Sequence, residues 1–165
     1  MLSGRRPGPS EDVVLAADTV VVLDGAILGK PVDAVEARSM LAALRGRAHR
    51  VLTGVALAVD GRIAWASVVE TAVWMRQYGA DEVERYVRSG SPFDKAGAYG
   101  IQDADFRPVE RIDGCFANVV GLPLCQVGKA LTAIDPERAW GPGWRAMTSG
   151  EAAGEHVVCE RARSL

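Results

Sequence analysis

From Val13 to Leu23 apolar residues follow one another almost without a break, interrupted only by Asp18 and Thr19, and the run stops at Asp24-Gly25, a strong tight-turn dipeptide. The pattern predicts a buried strand with two polar residues inside it. An ionised carboxylate without partners is costly in such surroundings, so Asp18 is expected at the exposed end of the strand, in a hydrogen bond, or in chemistry. From Asp33 the period changes. Asp33 and Glu36 form a capping-box-like start, and Ala37, Met40, Leu41 and Leu44 then recur at helical spacing until Gly46 ends the helix. Residues 50–59 and 62–75, rich in Val, Ile, Thr and Trp and joined by Asp60-Gly61, predict an antiparallel hairpin. A second helix is expected over 81–88, with Val83, Tyr86 and Val87 on one face and Gly90 as its stop. Residues 107–112 suit a further strand, and Pro123 suits the first turn of a helix running from Leu124 to about Ile134.

Between those better-defined elements lies SGSPFDKAGAYGIQDADF, irregular, polar and rich in glycine, which reads as a working loop. At the ends the periodicity fails. Residues 1–10, rich in Gly, Pro, Arg and Ser, read as a flexible arm, residues 11–135 as one domain, and residues 136–165 as a poorly ordered tail whose Trp140 and Trp144 could dock on the core.

Composition narrows the function classes. A chain of 165 residues, 48% hydrophobic, is enough for one substantial core. A formal net charge of -2 gives no basic field for nucleic acid, so an anionic ligand must be held by a few local cations. No stretch approaches the roughly 20 apolar residues that span a bilayer, and the start lacks the apolar core of a signal peptide, so a cytoplasmic protein is expected. Three cysteines without a CxxC pair argue against a disulfide framework or a zinc site and read as idle thiols. His49 and His156 read as surface or packing residues, which leaves a hard cation on carboxylates as the expected metal chemistry.

The segment GAILGK imitates a phosphate-binding P-loop but has one residue too few between its glycines and Pro31 where Ser or Thr is required. Three polar islands stand out instead: Asp18-Thr19, Gly29-Lys30-Pro31, and the loop from Asp94-Lys95 to Gln102. Phosphoryl transfer from a nucleotide needs this mixture, a carboxylate to activate water or hold Mg²⁺ and lysines to offset charge on the phosphate oxygens. Glu70, inside the apolar run VVETAV, is a fourth candidate. Taken singly, each has a simpler account: Asp18 could cap a turn, Lys30 and Lys95 could lie in solvent, and Glu70 could face water on the open side of a sheet.

Taken together, AADTVVVLDGAILGKP, GRAHRVLTGVAL, VETAV, SGSPFDKAGAYGIQ and NVVGLPL resemble, in order and approximate spacing, the Maf family of nucleotide pyrophosphatases. The resemblance implies an α/β fold with a mixed twisted sheet flanked by helices and a cleft. It also implies cleavage between the α and β phosphates of a nucleoside triphosphate, a divalent cation (Mg²⁺ or Mn²⁺), and often a homodimer. By the same resemblance Asp18 is the proton acceptor, Thr19 and Gln102 bear on substrate choice, and Lys30 and Lys95 contact phosphate or fix the loop. The GAYGIQ form is similar to the branch that prefers dTTP and UTP. Members of the family begin with an S-x-S-P-R-R-like segment, a helix and a strand before ADTVV, and here only ten or so residues stand there. The expectation is therefore a fold without that N-terminal strand and helix, with SGRR at 3–6 a coincidence and one sheet edge unpaired. The enzyme reading has one alternative, a catalytically impaired relative that serves as a nucleotide-binding or structural module.

Overall fold

The structure is a computed structural model, and it describes residues 12–136. The arm expected over 1–10 and the tail with Trp140, Trp144 and His156 lie outside the described residues.

The long apolar run forms β1 (Val13–Leu23), which turns at Asp24 and Gly25 into β2 (Ala26–Leu28). Both turn residues have positive φ, 52° and 83°, as a two-residue hairpin turn demands. The expected hairpin is β3 (Ala48–Val59) and β4 (Arg62–Met75), closed by Asp60 and Gly61 with the same left-handed backbone. A fifth strand, β5 (Val109–Asp113), completes the order β2-β1-β3-β4-β5. Helices and strands are mixed as the sequence implies, and each pairing among the described residues is antiparallel.

The period of two decides which face is buried. Val21, Leu23, Val51, Val73 and Met75 point to one side of the sheet, where α1 (Ala34–Leu44) packs with Ala37, Met40, Leu41 and Leu44 and α2 (Ala80–Arg88) with Val83, Tyr86 and Val87. Further along the same face, Val55 and Leu57 receive Val127, Ala130 and Leu131 of α4 (Leu124–Ile134). A short α3 (Phe116–Val120) lies between them against β3 and β4. The other face carries Val14 and Val68 well exposed.

Local chemistry explains the element ends. The Asp33 carboxylate accepts from the Glu36 N–H (2.8 Å), while Glu36 reaches back to the Val32 N–H (2.7 Å), one residue before the cap itself. β5 begins two residues later than the pattern suggests, because Arg107 is left-handed (φ 44°) and Pro108 follows it without an N–H to give the ladder. Arg76, just past the end of β4, ties this corner together: it donates to the carbonyls of Arg107 (2.8 Å) and Phe106 (2.6 Å) and pairs with Glu82 (2.6 Å) at the start of α2. That guanidinium, with the Gly79 N–H, holds the Glu82 carboxyl down at about 2. Cys125, on the first turn of α4, is disulfide-bonded, which corrects its reading as an idle thiol. Among the described residues no helix is long and apolar enough to cross a membrane.

One feature of the sheet positions the site. β2 is only three residues long and pairs with Val21 to Leu23, so over residues 13–20 β1 has β3 on one side and no strand on the other among the described residues. Asp18 and Thr19 sit on that open edge.

Candidate functional site

Successive residues of a strand face opposite ways, so Asp18 and Thr19 would not share a site inside a closed sheet. At the open edge of β1 they do. A cavity of about 520 Å³ lies against this edge, with Val21 and Val51 in its lining, and Asp18 and Thr19 both border it. Lys30 enters from the segment after β2, and the loop supplies Asp94, Lys95, Tyr99, Gln102 and Asp103. Val119 and Val120 of α3 close the remaining side. The three polar islands of the sequence, with Asp18, Thr19, Lys30, Lys95 and Gln102, thus border one cavity.

The loop owes its shape to two short 3-10 turns, Ser91–Asp94 and Ala96–Ala98. Gly97 has φ 71° and a Cβ there would come within 3.1 Å of the Val21 side chain, so the loop can lie this close to β1 only with glycine at that point. Its N–H donates to the Gly29 carbonyl (2.9 Å), which brings the Lys30 segment and the loop together. Lys95 is held by the Ser91 carbonyl (2.7 Å) and by Asp94 (2.5 Å), and this pairing keeps the Asp94 carboxyl below its ordinary range. Lys30 makes no hydrogen bond or ion pair among the described residues, although its charge also favours ionised Asp94. Asp103 accepts from the N–H groups of Asp105 and Phe106. Asp18 accepts from the Thr19 N–H at 2.9 Å and is otherwise exposed.

Beneath the cavity lies a polar network that pattern reading did not single out. Thr53 and Thr71, on adjacent strands, are fully buried, as is Asn118 of α3. Thr53 donates to the Asn118 carbonyl (3.1 Å), and Thr71 donates to the Cys115 carbonyl (3.2 Å) while accepting from the Cys115 N–H (3.0 Å). The Asn118 amide donates to the Val51 carbonyl (3.1 Å) and to Thr71 (3.0 Å). Together these bonds fasten α3, one wall of the cavity, to the sheet. The pattern of apolar and polar positions shows the two threonines only as polar residues inside strands, which solvent exposure explains equally well. The fastening leaves no room at Gly114, where φ is 126° and a Cβ would stand 2.9 Å from the Thr71 hydroxyl oxygen and 3.1 Å from its Cα. Gly114→Ala is therefore expected to cost about 2 kcal/mol, read as a lower urea midpoint at unchanged slope.

Glu70 does not belong to this site. Its carboxylate pairs with Arg50 (3.3 Å), about half exposed, on the face of the sheet away from the helices. The simpler reading of a solvent-facing strand residue applies to it.

The donor set fits a divalent cation in one particular way. Among the described residues no group of three or more His, Cys, Asp or Glu is arranged to hold a metal, so these residues provide no closed cage. Magnesium does not require one, since it is commonly bound through one or two carboxylates together with substrate phosphates. The lining also carries three aspartates against two lysines, so the side chains alone do not offset a triphosphate. A cation arriving with an anionic ligand would satisfy both observations, with Asp18 and Asp103 as the carboxylates lining the cavity.

A family profile described as Maf-like protein matches residues 2–134. The chain is 55% identical over 124 residues to a protein of Thermomicrobium roseum named dTTP/UTP pyrophosphatase, a match covering 75% of this chain and 55% of that one. Proteins of the same name from Dictyoglomus thermophilum (46% identical, 74% of this chain and 64% of the relative) and Chlorobaculum parvum (50% identical, 76% and 63%) are also similar. The chain spans between half and two thirds of the length of these relatives.

Proposed function

The chain belongs to the Maf-like family, and from that premise we propose that it hydrolyses dTTP and UTP to the nucleoside monophosphate and pyrophosphate. The observation that carries the reading is the convergence of Asp18, Thr19, Lys30, Lys95 and Gln102 on one cavity from three separate stretches of chain. Relatives named dTTP/UTP pyrophosphatase support the choice of substrate.

In this mechanism water attacks the α-phosphorus, the bond from that phosphorus to the bridging oxygen breaks, and pyrophosphate leaves. Asp18 takes the proton of the attacking water, for which an exposed carboxylate at a strand edge is accessible from the cavity. Lys30 is the cation available to the phosphates, while Lys95, tied to Asp94 and Ser91, mainly shapes the loop. A divalent cation, Mg²⁺ or Mn²⁺, would supply charge compensation on the triphosphate, with Asp103 and the Asp18 oxygen that does not take up the proton as the carboxylates to hold it. Gln102 suits the edge of a pyrimidine, since its amide offers both a donor and an acceptor. Action on free nucleotides in the cytoplasm, away from nucleic acid and membranes, and assembly as a homodimer complete the proposal.

A second reading, a nucleotide-binding module without turnover, is favoured by one observation, the excess of aspartate over lysine around the cavity. Pyrophosphate release by the purified chain with Mg²⁺ or Mn²⁺ across dTTP, UTP, CTP, GTP and ATP separates the two. Release from dTTP and UTP well above the rest is expected. A folded chain that binds these nucleotides but releases nothing would replace the first reading by the second.

A further inference from the structure

We infer that Tyr86, which does not border the large cavity, is a positioning residue for it: its hydroxyl fixes the turn at residues 100–103 that carries Gln102 and Asp103 to the cavity wall, and so sets how tightly the cavity holds a nucleotide. The inference rests on the nucleotide reading above and adds to it one residue that reaches the ligand only through others.

Residues 100–103 form a tight turn, closed where the Asp103 N–H donates to the Gly100 carbonyl (3.2 Å), with Ile101 and Gln102 at its tip. All four line the cavity. Such a turn can still swing as a unit unless its ends are held. Tyr86, on the buried face of α2, holds both. The Gly100 N–H donates to the Tyr86 hydroxyl (3.3 Å), a bond with one direction, since a backbone N–H can only donate. The Tyr86 proton is then left for an acceptor, and the Asp103 carboxylate faces it. The two residues border the same small cavity beside the large one, and burial, and after it the Asp103 charge, push the phenol above its ordinary range. The ring contributes as well. It stacks on Phe106 (centroids 4.3 Å apart, planes at 18°), whose N–H donates to the Asp103 carboxylate (2.9 Å). Gly100 also packs against the Lys95 stem, so closely that a Cβ there would stand 3.0 Å from the Lys95 Cε.

The exposed Gln102 side chain makes no hydrogen bond among the described residues, so the placement of its amide is left to the backbone of the turn. Removing the Tyr86 hydroxyl takes the acceptor from the Gly100 N–H and frees the turn to move off the wall in search of water. Ordering it again when a ligand binds then costs affinity. The effect belongs to the hydroxyl alone, because a phenylalanine ring keeps the stacking on Phe106.

The test compares the full chain with its Tyr86→Phe variant by calorimetric binding of the α,β-methylene analogue of UTP with Mg²⁺ and by amide hydrogen exchange along residues 99–106. Tyr86→Phe should bind the analogue about three- to tenfold more weakly, the worth of one hydrogen bond, and its Gly100 amide should exchange faster. In turnover of UTP the loss should appear in KM with kcat nearly unchanged. A variant that folds and binds as tightly as the parent overturns the inference even where its urea midpoint falls, since Tyr86 would then support the fold and nothing more. If Tyr86→Phe does not fold, the parent decides: saturating analogue should slow exchange at the Gly100 and Asp103 amides, and unchanged rates there overturn the inference. A parent that binds no analogue removes the nucleotide reading, and the Gly100 amide of Tyr86→Phe then decides the anchor by itself: faster exchange keeps it, unchanged exchange overturns it. Binding without turnover leaves the inference standing and removes only the catalytic reading.

Discussion

Asp18→Asn is expected to lower kcat for pyrophosphate release from dTTP by roughly 10²- to 10⁴-fold, the usual contribution of a positioned general base. The substitution is a sharp one in this structure. The side-chain bond recorded for Asp18 is the one its Oδ1 accepts from the Thr19 N–H, and an asparagine oxygen accepts the same bond. Asp18 is exposed at the open edge of β1, so no core packing changes with it. The unfolding free energy should therefore stay within about 0.5 kcal/mol of the parent, the range ordinary for surface substitutions. The division between kcat and KM identifies the role. A fall in kcat with KM nearly unchanged fits proton transfer in the transition state, whereas a rise in KM that high Mg²⁺ relieves would make holding the cation the larger part of the Asp18 role. An Asp18→Asn chain as active as its parent would exclude both roles.

The parts of this fold that could be read from the sequence are those in which one local signal dominates. The run from Val13 to Leu23, the helix opened by Asp33 and the hairpin closed by Asp60-Gly61 each carry a long period or a turn with restricted backbone, and each is present, β1 and β4 with the expected ends and β3 starting two residues earlier. β2 and α3, of three and five residues, are shorter than the windows over which periodicity accumulates. The cavity is a different matter. The polar islands were legible as interruptions of apolar text, but what lets Asp18 and Thr19 reach the same space is the early end of β2, a tertiary fact with no local mark. The roles of Thr53, Thr71 and Asn118 were equally hidden. A threonine in a strand is ordinary, and only the approach of α3 with its Asn118 turns two such residues into one network. Glu70 illustrates the opposite failure, since it interrupts apolar text as Asp18 does but faces Arg50 on the outer side of the sheet.

His49 gives the second large expected effect, a loss of stability on mild acidification. The ring is 4% exposed, its Nε2 lies 2.7 Å from the Tyr99 hydroxyl, and its Nδ1 has no partner among the described residues. Burial pushes its pKa down from 6.5 to about 4, because no group offsets the desolvation of an imidazolium there. The sign follows from which state binds the proton more readily. Between pH 6.5 and pH 4 the unfolded chain protonates His49 and the folded chain does not, so acid draws the equilibrium toward unfolding. The stabilisation is complete above pH 6.5 and disappears as the pH falls through that window, by about 3 kcal/mol in all. The carboxylates held low by ion pairs, Glu82, Glu84 and Asp94, lose their contribution only as the pH drops below the ordinary carboxyl range, which leaves the interval from 6.5 to 4.5 to the histidine. Urea midpoints across that interval should fall steeply for the parent and stay nearly level for His49→Phe, which keeps an aromatic ring against Tyr99 and has no proton to take up. Parallel slopes for the two chains would place the acid sensitivity elsewhere. Because the folded chain keeps His49 neutral over this interval, the Tyr99 wall of the cavity is unchanged there, and His49 bears on stability without altering the site.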